Sequence, residues 1–316
     1  MKLKEIYELA IETGIEADPR GREVVKAELE KQKEAFEKLS VEDKALFDDD
    51  KLTNPYSDTR ILAGDPDAEI GGLLAGIDIE TQEIVLADRL REKGGPIDLL
   101  MAHHPEGAAL AGLHEVMGLQ ADIWHAYGVP INVGDALMDT RAREVQRALS
   151  PANHDRAVDA AKLLGLAMMC VHTPADNLVS RFLQKLVDDE APRYVDDVVK
   201  LLKTVPEYKA GVKIGAGPRV VVGSGSHRAG QALIVMTGGT GGPREAIEKL
   251  AAAGVGTLIE MHMDEKLRKK AEEHHLNVIV AGHIASDNIG VNLWLDKLEK
   301  RGVAVKTCSG VVRVKR

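Results

Sequence analysis

Cysteine is nearly missing from this sequence: Cys170 and Cys308 are the only two, far apart and without a CxxC pair. That excludes a disulfide framework and a cysteine-built zinc site. Aromatic residues make up only 3% of the chain, too few for a platform on which single-stranded bases could stack. Positive charge is also short. The 41 Lys and Arg against 50 Asp and Glu give a net charge of −9, a field that repels phosphate backbones and disfavours nucleic acid as a partner. No run approaches the roughly 20 apolar residues that a membrane span needs. The opening MKLKEIYELAIETG lacks the apolar core of a signal peptide, so no membrane is expected and the cytoplasm is the default compartment. What is there is a globular chain, 44% hydrophobic and 29% charged. Its 316 residues suffice for one large or two ordinary domains with a substantial core.

Residues 1–55 read as a helical extension. Ile6, Leu9, Ala10 and Ile15 recur at helical spacing, and REVVKAELEKQKEAFEKL is dense in helix formers. The polar break DDDKLTNPYSD (48–58) follows, and the segment is expected to pack on the body or serve as an interface arm. From residue 60 short apolar runs alternate with helical stretches. IGGLLAGIDI (70–79), IDLLMA (97–102) and LAMMCV (166–171) read as strands, and TQEIVLADRLREKGG (81–95) as a helix closed by glycine. Helical patterns dominate 113–164 and 178–210. A glycine-rich stretch at 211–230 then gives way to a tight alternation of ALIVM, VGTLIE and NVIVAG with helices, and VAVKTCSGVVRVKR supplies a last strand or hairpin. This predicts an α/β fold with largely parallel sheets: a first α/β domain over 56–210 with a helical insertion, and a second over 211–316. No repeat at a fixed period is visible.

Four apolar strands run into residue types that can bind metals. IDLLMA meets His103 and His104, LAMMCV meets HTPAD (172–176), NVIVAG meets HIASD (283–287), and VGTLIE meets MHMDE (261–265). In open α/β sheets the ligand crevice lies beyond the carboxyl ends of the strands, so these distant residues can converge. Histidine with aspartate suits zinc, manganese, iron or cobalt. Adjacent histidines on an extended strand diverge, which lets His103 and His104 serve different ions. His172 and Asp176 are four apart, as are His283 and Asp287, and on a helix such a pair shares one face. A carboxylate such as Asp176 can bridge two cations. Each motif also has a plainer reading, as a strand-end pair or a helix cap; their joint recurrence after strands favours a shared site. His114, His125, His154, His274 and His275 sit on or beside helices, where structural or solvated roles suffice. His227 lies in a glycine-flanked loop, and His262 ends a strand as the expected ligands do. The loop TGGTGG (237–242) could cradle an anion before a helix, but it lacks the Gly-Lys-Ser/Thr of a Walker loop and reads equally as a tight turn.

AHHP, HTPAD and AGHIASD, in this order, together with MTGGTGG, resemble the NIF3-like family (NGG1-interacting-factor-3-like), some of whose members carry the name GTP cyclohydrolase 1 type 2. The likeness is strongest over 60–107 and 231–295. It implies two α/β domains with a di-metal site in the cleft between them. Its ligands would be His103, His104, Asp176, His283 and Asp287, holding two divalent ions (zinc, manganese or iron), and Asp176 would be the bridge. His172 would be an extra ligand, an orienting neighbour or the general base, and is the expected catalytic residue. Asp287 stands where the family usually has Glu, and His262 stands where another Glu is usual. The resemblance also implies a toroidal homohexamer.

Two functions follow as expectations. The first is a metal-dependent hydrolase of a small nucleotide-like or phosphate-bearing substrate, with purine ring-opening as one member of the class. The second is a non-catalytic metal-binding scaffold or regulatory interaction protein.

Overall fold

A computed structural model describes all residues, Met1–Arg316. Nine short strands form two sheets. The first takes the order β1 (Arg60–Ala63), β4 (Ala167–Cys170), β3 (Leu99–Ala102), β2 (Gly72–Gly76), β9 (Ala304–Thr307). The second takes the order β5 (Arg219–Val222), β8 (Asn277–Val280), β7 (Val255–Glu260), β6 (Gln231–Val235). Only β1 and β5 run antiparallel to their neighbours; every other pairing is parallel, as the α/β alternation predicts.

The strands are four to six residues long and mostly apolar because both faces of each sheet are covered. Period-two alternation splits their side chains cleanly. In the first sheet Leu73, Leu99, Met101 and Met169 face one core cluster, while Leu74, Leu100, Met168 and Cys170 face another. In the second sheet Ile234, Ile259 and Ile279 face one cluster, and Leu233, Leu258 and Val278 the other.

Two long helices, Thr173–Glu190 and His283–Glu299, lie between the sheets and feed the cores of both. Leu178, Val291 and Trp294 pack toward the first sheet, while Val179, Leu183 and Ile289 pack toward the second. The second helix is buried almost all round from Ser286 to Leu298, as a helix sandwiched between two layers must be. The two helices touch through Gly290, where an added Cβ would lie 2.1 Å from the carbonyl oxygen of Ala175. Pro174 sits in the first turn of Thr173–Glu190, where its missing N–H costs no hydrogen bond.

Packing and strand pairing cross between the expected segments. The segment 1–55 divides: Leu3–Ala17 belongs to the first core with Leu3, Ile6 and Ala10 fully buried, whereas Arg22–Glu37 buries only Val25. The insertion at 113–149 does not stay with the first sheet. Trp124, Met138 and Val145 pack against Leu233, Leu258 and Val278 of the second. Finally, β9 leaves the segment 211–316 and pairs in parallel with β2 of the first sheet, and no hairpin follows it.

A repeat that sequence reading missed is visible in the topology. The order β1-β4-β3-β2 matches β5-β8-β7-β6, and each antiparallel edge pair shifts register at the same step, between Ile61 and Ala63 and between Val220 and Val222. The halves differ at one edge. Where β9 covers β2, the Gln184 side chain covers β6, its Oε1 accepting from the Ile234 amide (3.0 Å) and its Nε2 donating to the Ala232 carbonyl (3.2 Å). No helix is long and apolar enough to cross a membrane.

Candidate metal centre

The repeat brings the carboxyl ends of β3 and β4 opposite those of β7 and β8, and the expected residues meet there. His103 and His104 leave β3, His172 caps the helix Thr173–Glu190, and His283 opens the helix His283–Glu299. Asp176 and Asp287 follow one turn into those helices, so each His-x-x-x-Asp pair shares one helical face as its spacing predicts.

The donor atoms form a tight nest. His103 Nε2 lies 3.5 Å from Asp176 Oδ1 and 3.7 Å from Asp287 Oδ1. His172 Nε2 lies 3.7 Å from Asp176 Oδ2. Asp287 Oδ2 is 3.6 Å from His104 Nε2 and 3.5 Å from His283 Nε2. Two triads, His103–His172–Asp176 and His103–His104–Asp287, keep all their donor atoms within 4.8 Å of one another, and His283 approaches through Asp287. These separations are too long for good hydrogen bonds. They are close to the roughly 3.0–3.4 Å that neighbouring ligands show around one ion with bonds of about 2.1 Å. His103 Nε2, Asp176 Oδ1 and both Asp287 oxygens are buried without any hydrogen-bond partner. Buried polar atoms are rarely left so, and several orphans converging on one point are what a cation binder requires. The donor set therefore fits divalent metal.

The outer nitrogens explain why the inner ones converge. His103 Nδ1 donates to the Val171 carbonyl (3.0 Å), His104 Nδ1 to Asp78 (2.7 Å) and His172 Nδ1 to Asp58 (2.8 Å). Each ring is thereby turned with Nε2 inward, the arrangement typical of metal-ligating histidines. Sequence reading missed both acids. Asp78 does follow the strand β2, so the strand-end rule could have found it. Asp58 left no signal: it lies in a polar stretch before β1, and only the antiparallel direction of that strand brings its start to the site. Asp58 is fully buried and also accepts from the Thr173 hydroxyl at 2.6 Å. Asp58→Ala is therefore expected to lower the free energy of unfolding by about 3 kcal/mol, read by urea denaturation, because it orphans donors in a dry site. A loss under about 1 kcal/mol would mean that this clamp carries little.

The electrostatics follow from enclosure. Burial alone would favour neutral His172, but Asp176 and Asp58 outweigh it and the imidazolium is pushed up to about 9. Burial raises Asp176 to about 6 against the pull of His172 and His103. Asp287 goes the other way: burial opposes its charge, yet His103 and His104 hold it well below the usual carboxylate range. His283 is lowered by burial, and His104 beside it adds to the effect.

The nest opens into a cleft of about 410 Å³ that runs to the loop 237–242. Three side chains hold that loop. Thr237 Oγ1 donates to Asn177 Oδ1 (2.6 Å), Gln120 Nε2 donates to the Gly238 and Thr240 carbonyls (both 2.7 Å), and Arg141 Nε donates to the Gly241 carbonyl (3.0 Å). The carbonyls of Gly238, Thr240 and Gly241 are thus occupied, while the amides of Gly239, Gly241 and Gly242 make no backbone hydrogen bond. The helix after it starts at Glu245, two residues beyond Pro243. Of the other histidines, His262 lines the cleft. His125 bonds the Val129 carbonyl and His227 bonds Asn277; neither enters the nest, nor do His114, His154, His274 and His275. Asp264 is a helix cap, its Oδ1 accepting from the Leu267 amide (2.7 Å).

No family model matches the sequence, and no curated protein matches it. Solved structures do. A NIF3 superfamily protein from Sphaerobacter thermophilus superposes with a TM-score of 0.72 at 27% identity, covering 82% of this chain and 94% of that one. HcgD from Methanocaldococcus jannaschii, in a reduced form, gives 0.51 at 14% identity over 84% of this chain and 95% of its own, a likeness of fold. With two mostly parallel sheets and a buried His/Asp group where they meet, the chain has the fold of the NIF3 superfamily protein it superposes on.

Proposed function

We propose that this protein is a two-ion, metal-dependent hydrolase of a small nucleotide-like or phosphate-bearing substrate. One ion is assigned to His103, His172 and Asp176, the other to His104 and His283, with Asp287 shared. The observation that carries this reading is the convergence of His nitrogens and Asp oxygens at 3.5–3.7 Å, with His103 Nε2, Asp176 Oδ1 and both Asp287 oxygens buried and unpartnered. Asp287, in place of Asp176, would be the carboxylate shared by the two ions, because its two oxygens face different histidines: His103 on one side, His104 and His283 on the other.

Two divalent cations supply Lewis acidity and lower the pKa of water. The chain's own residues do the rest. His172, clamped by Asp58 and aimed at Asp176, is assigned as a ligand in place of a general base. The cleft walls position the substrate, and the free amides of Gly239, Gly241 and Gly242 suit an anionic group at the far end. The purine ring-opening reaction of a GTP cyclohydrolase 1 type 2 is the member of this class suggested by resemblance. Cytoplasmic location and the homohexamer belong to the same proposal, and sedimentation velocity checks the latter.

Purified protein loaded in turn with zinc, manganese and iron, then offered nucleotides and phosphoesters, tests the reading. The expected result is product formation that depends on the ion and is abolished by chelator. Two bound ions with no turnover of any compound would leave the second reading, a metal-binding interaction protein. Val41 (82% exposed) and Leu46 (87% exposed) on the N-terminal segment are the observation that favours it.

A further inference from the structure

The repeat in the fold places one more histidine at the site than the ligand set above contains. Ala102 of β3 pairs with Cys170 of β4, and His104 lies two residues beyond it. In the second sheet Glu260 of β7 pairs with Val280 of β8, and two residues beyond it stands His262. The two residues thus hold equivalent positions in the two halves, and His262 faces the shared cleft as His104 does.

Its distance from the nest is informative. Two imidazoles on one ion, with metal–nitrogen bonds of about 2.1 Å, bring their ring centres to about 4.6–5.3 Å. The His262 and His283 rings are 4.9 Å apart and the His104 and His283 rings 5.2 Å. His103 and His172, assigned to the other ion, are 5.0 Å apart. His283 is therefore flanked by a histidine on either side at ligand spacing. The half of the site built on His104 and His283 is also the open half: their side chains are 28% and 40% exposed, against 1% for His103 and 9% for His172. His262 is itself exposed at that rim.

We infer that His262 is a further ligand of the ion held by His104, His283 and Asp287, giving that ion a third imidazole. The inference rests on the two-ion reading above. Met261 holds the position equivalent to His103, so the second half contributes one strand-end imidazole where the first contributes two.

Cobalt(II) serves as the probe, with calorimetric titration and its visible absorption as readouts on the ion-free protein. Wild type is expected to take up two ions. In His262→Ala and His262→Gln one of the two sites weakens at least about tenfold and the absorption bands shift, while the other site keeps its affinity. His275→Ala, an exposed histidine elsewhere, changes neither readout. Because His262 is exposed, thermal unfolding of the ion-free variants should match wild type. Two wild-type affinities and an unaltered spectrum in both His262 variants would overturn the inference and leave the two-ion site standing. Absence of cobalt uptake by wild type would overturn both.

Discussion

Asp287→Asn is expected to abolish uptake of both cations, whereas Asp176→Asn removes only one. The asymmetry follows from which atoms each carboxylate faces. Asp176 presents its oxygens to His103 and His172, which the proposal assigns to a single ion. Asp287 faces His103 with Oδ1 and both His104 and His283 with Oδ2, so it alone touches both sets. It is 1% exposed and its charge is held by the surrounding imidazoles in spite of burial. The amide keeps the shape and deletes the anion, so nothing offsets the mutual repulsion of two cations. Affinity should fall by about a hundredfold or more at each site. Elemental analysis after dialysis and calorimetry read the stoichiometry. One ion retained at wild-type affinity in Asp287→Asn would show that Asp287 is not the shared ligand.

Gly290→Ala is expected to destabilise the fold by about 3 kcal/mol and to weaken cation binding as well. An added Cβ would sit 2.1 Å from the Ala175 carbonyl oxygen and 2.8 Å from its carbon, and backbone cannot swing aside as a flexible side chain can. The helices must separate or bend, a larger insult than ordinary overpacking. Ala175 immediately precedes Asp176, and Gly290 lies three residues after Asp287, so the displacement enters the ligand nest directly. Gly118→Ala, where a Cβ meets nothing within 4 Å, is the control and should stay within about 0.5 kcal/mol of wild type. Chemical denaturation measures both. Gly290→Ala behaving like the control would mean that this close approach is not required.

The site was more legible in sequence than the architecture around it. His103, His172 and His283 each follow an apolar run of strand length, and the fold delivers strand ends to a crevice whatever the order of the strands. Histidine and aspartate four apart likewise declare a shared helical face by their spacing alone. Sharing of Asp287 between both sets of histidines was not legible, since it depends on how two helices cross at Gly290. Nor was the seating of Trp124 and Met138 on the second sheet: an amphipathic helix advertises an apolar face without naming the surface that will cover it. The repeat escaped because its halves share register and strand order, which are relations between backbones. Asp58 escaped because its importance depends on the direction of a four-residue edge strand.

The pairing of β9 with β2 has a consequence for the order in which the molecule can be built. During synthesis β2 emerges early, yet the strand that covers its outer edge arrives only after the whole second sheet has been made. Closing so long a loop is slow, and until then β2 presents an unpaired ladder of backbone groups to any extended neighbour. The ligand nest shares this delay. His103, His104, His172 and Asp176 are available to a nascent chain long before His283 and Asp287, so an early ion meets half a coordination shell. A complete set of nest residues and a complete first sheet both wait on the segment 277–307, so the site and the edge of β2 are finished by the same stretch of chain.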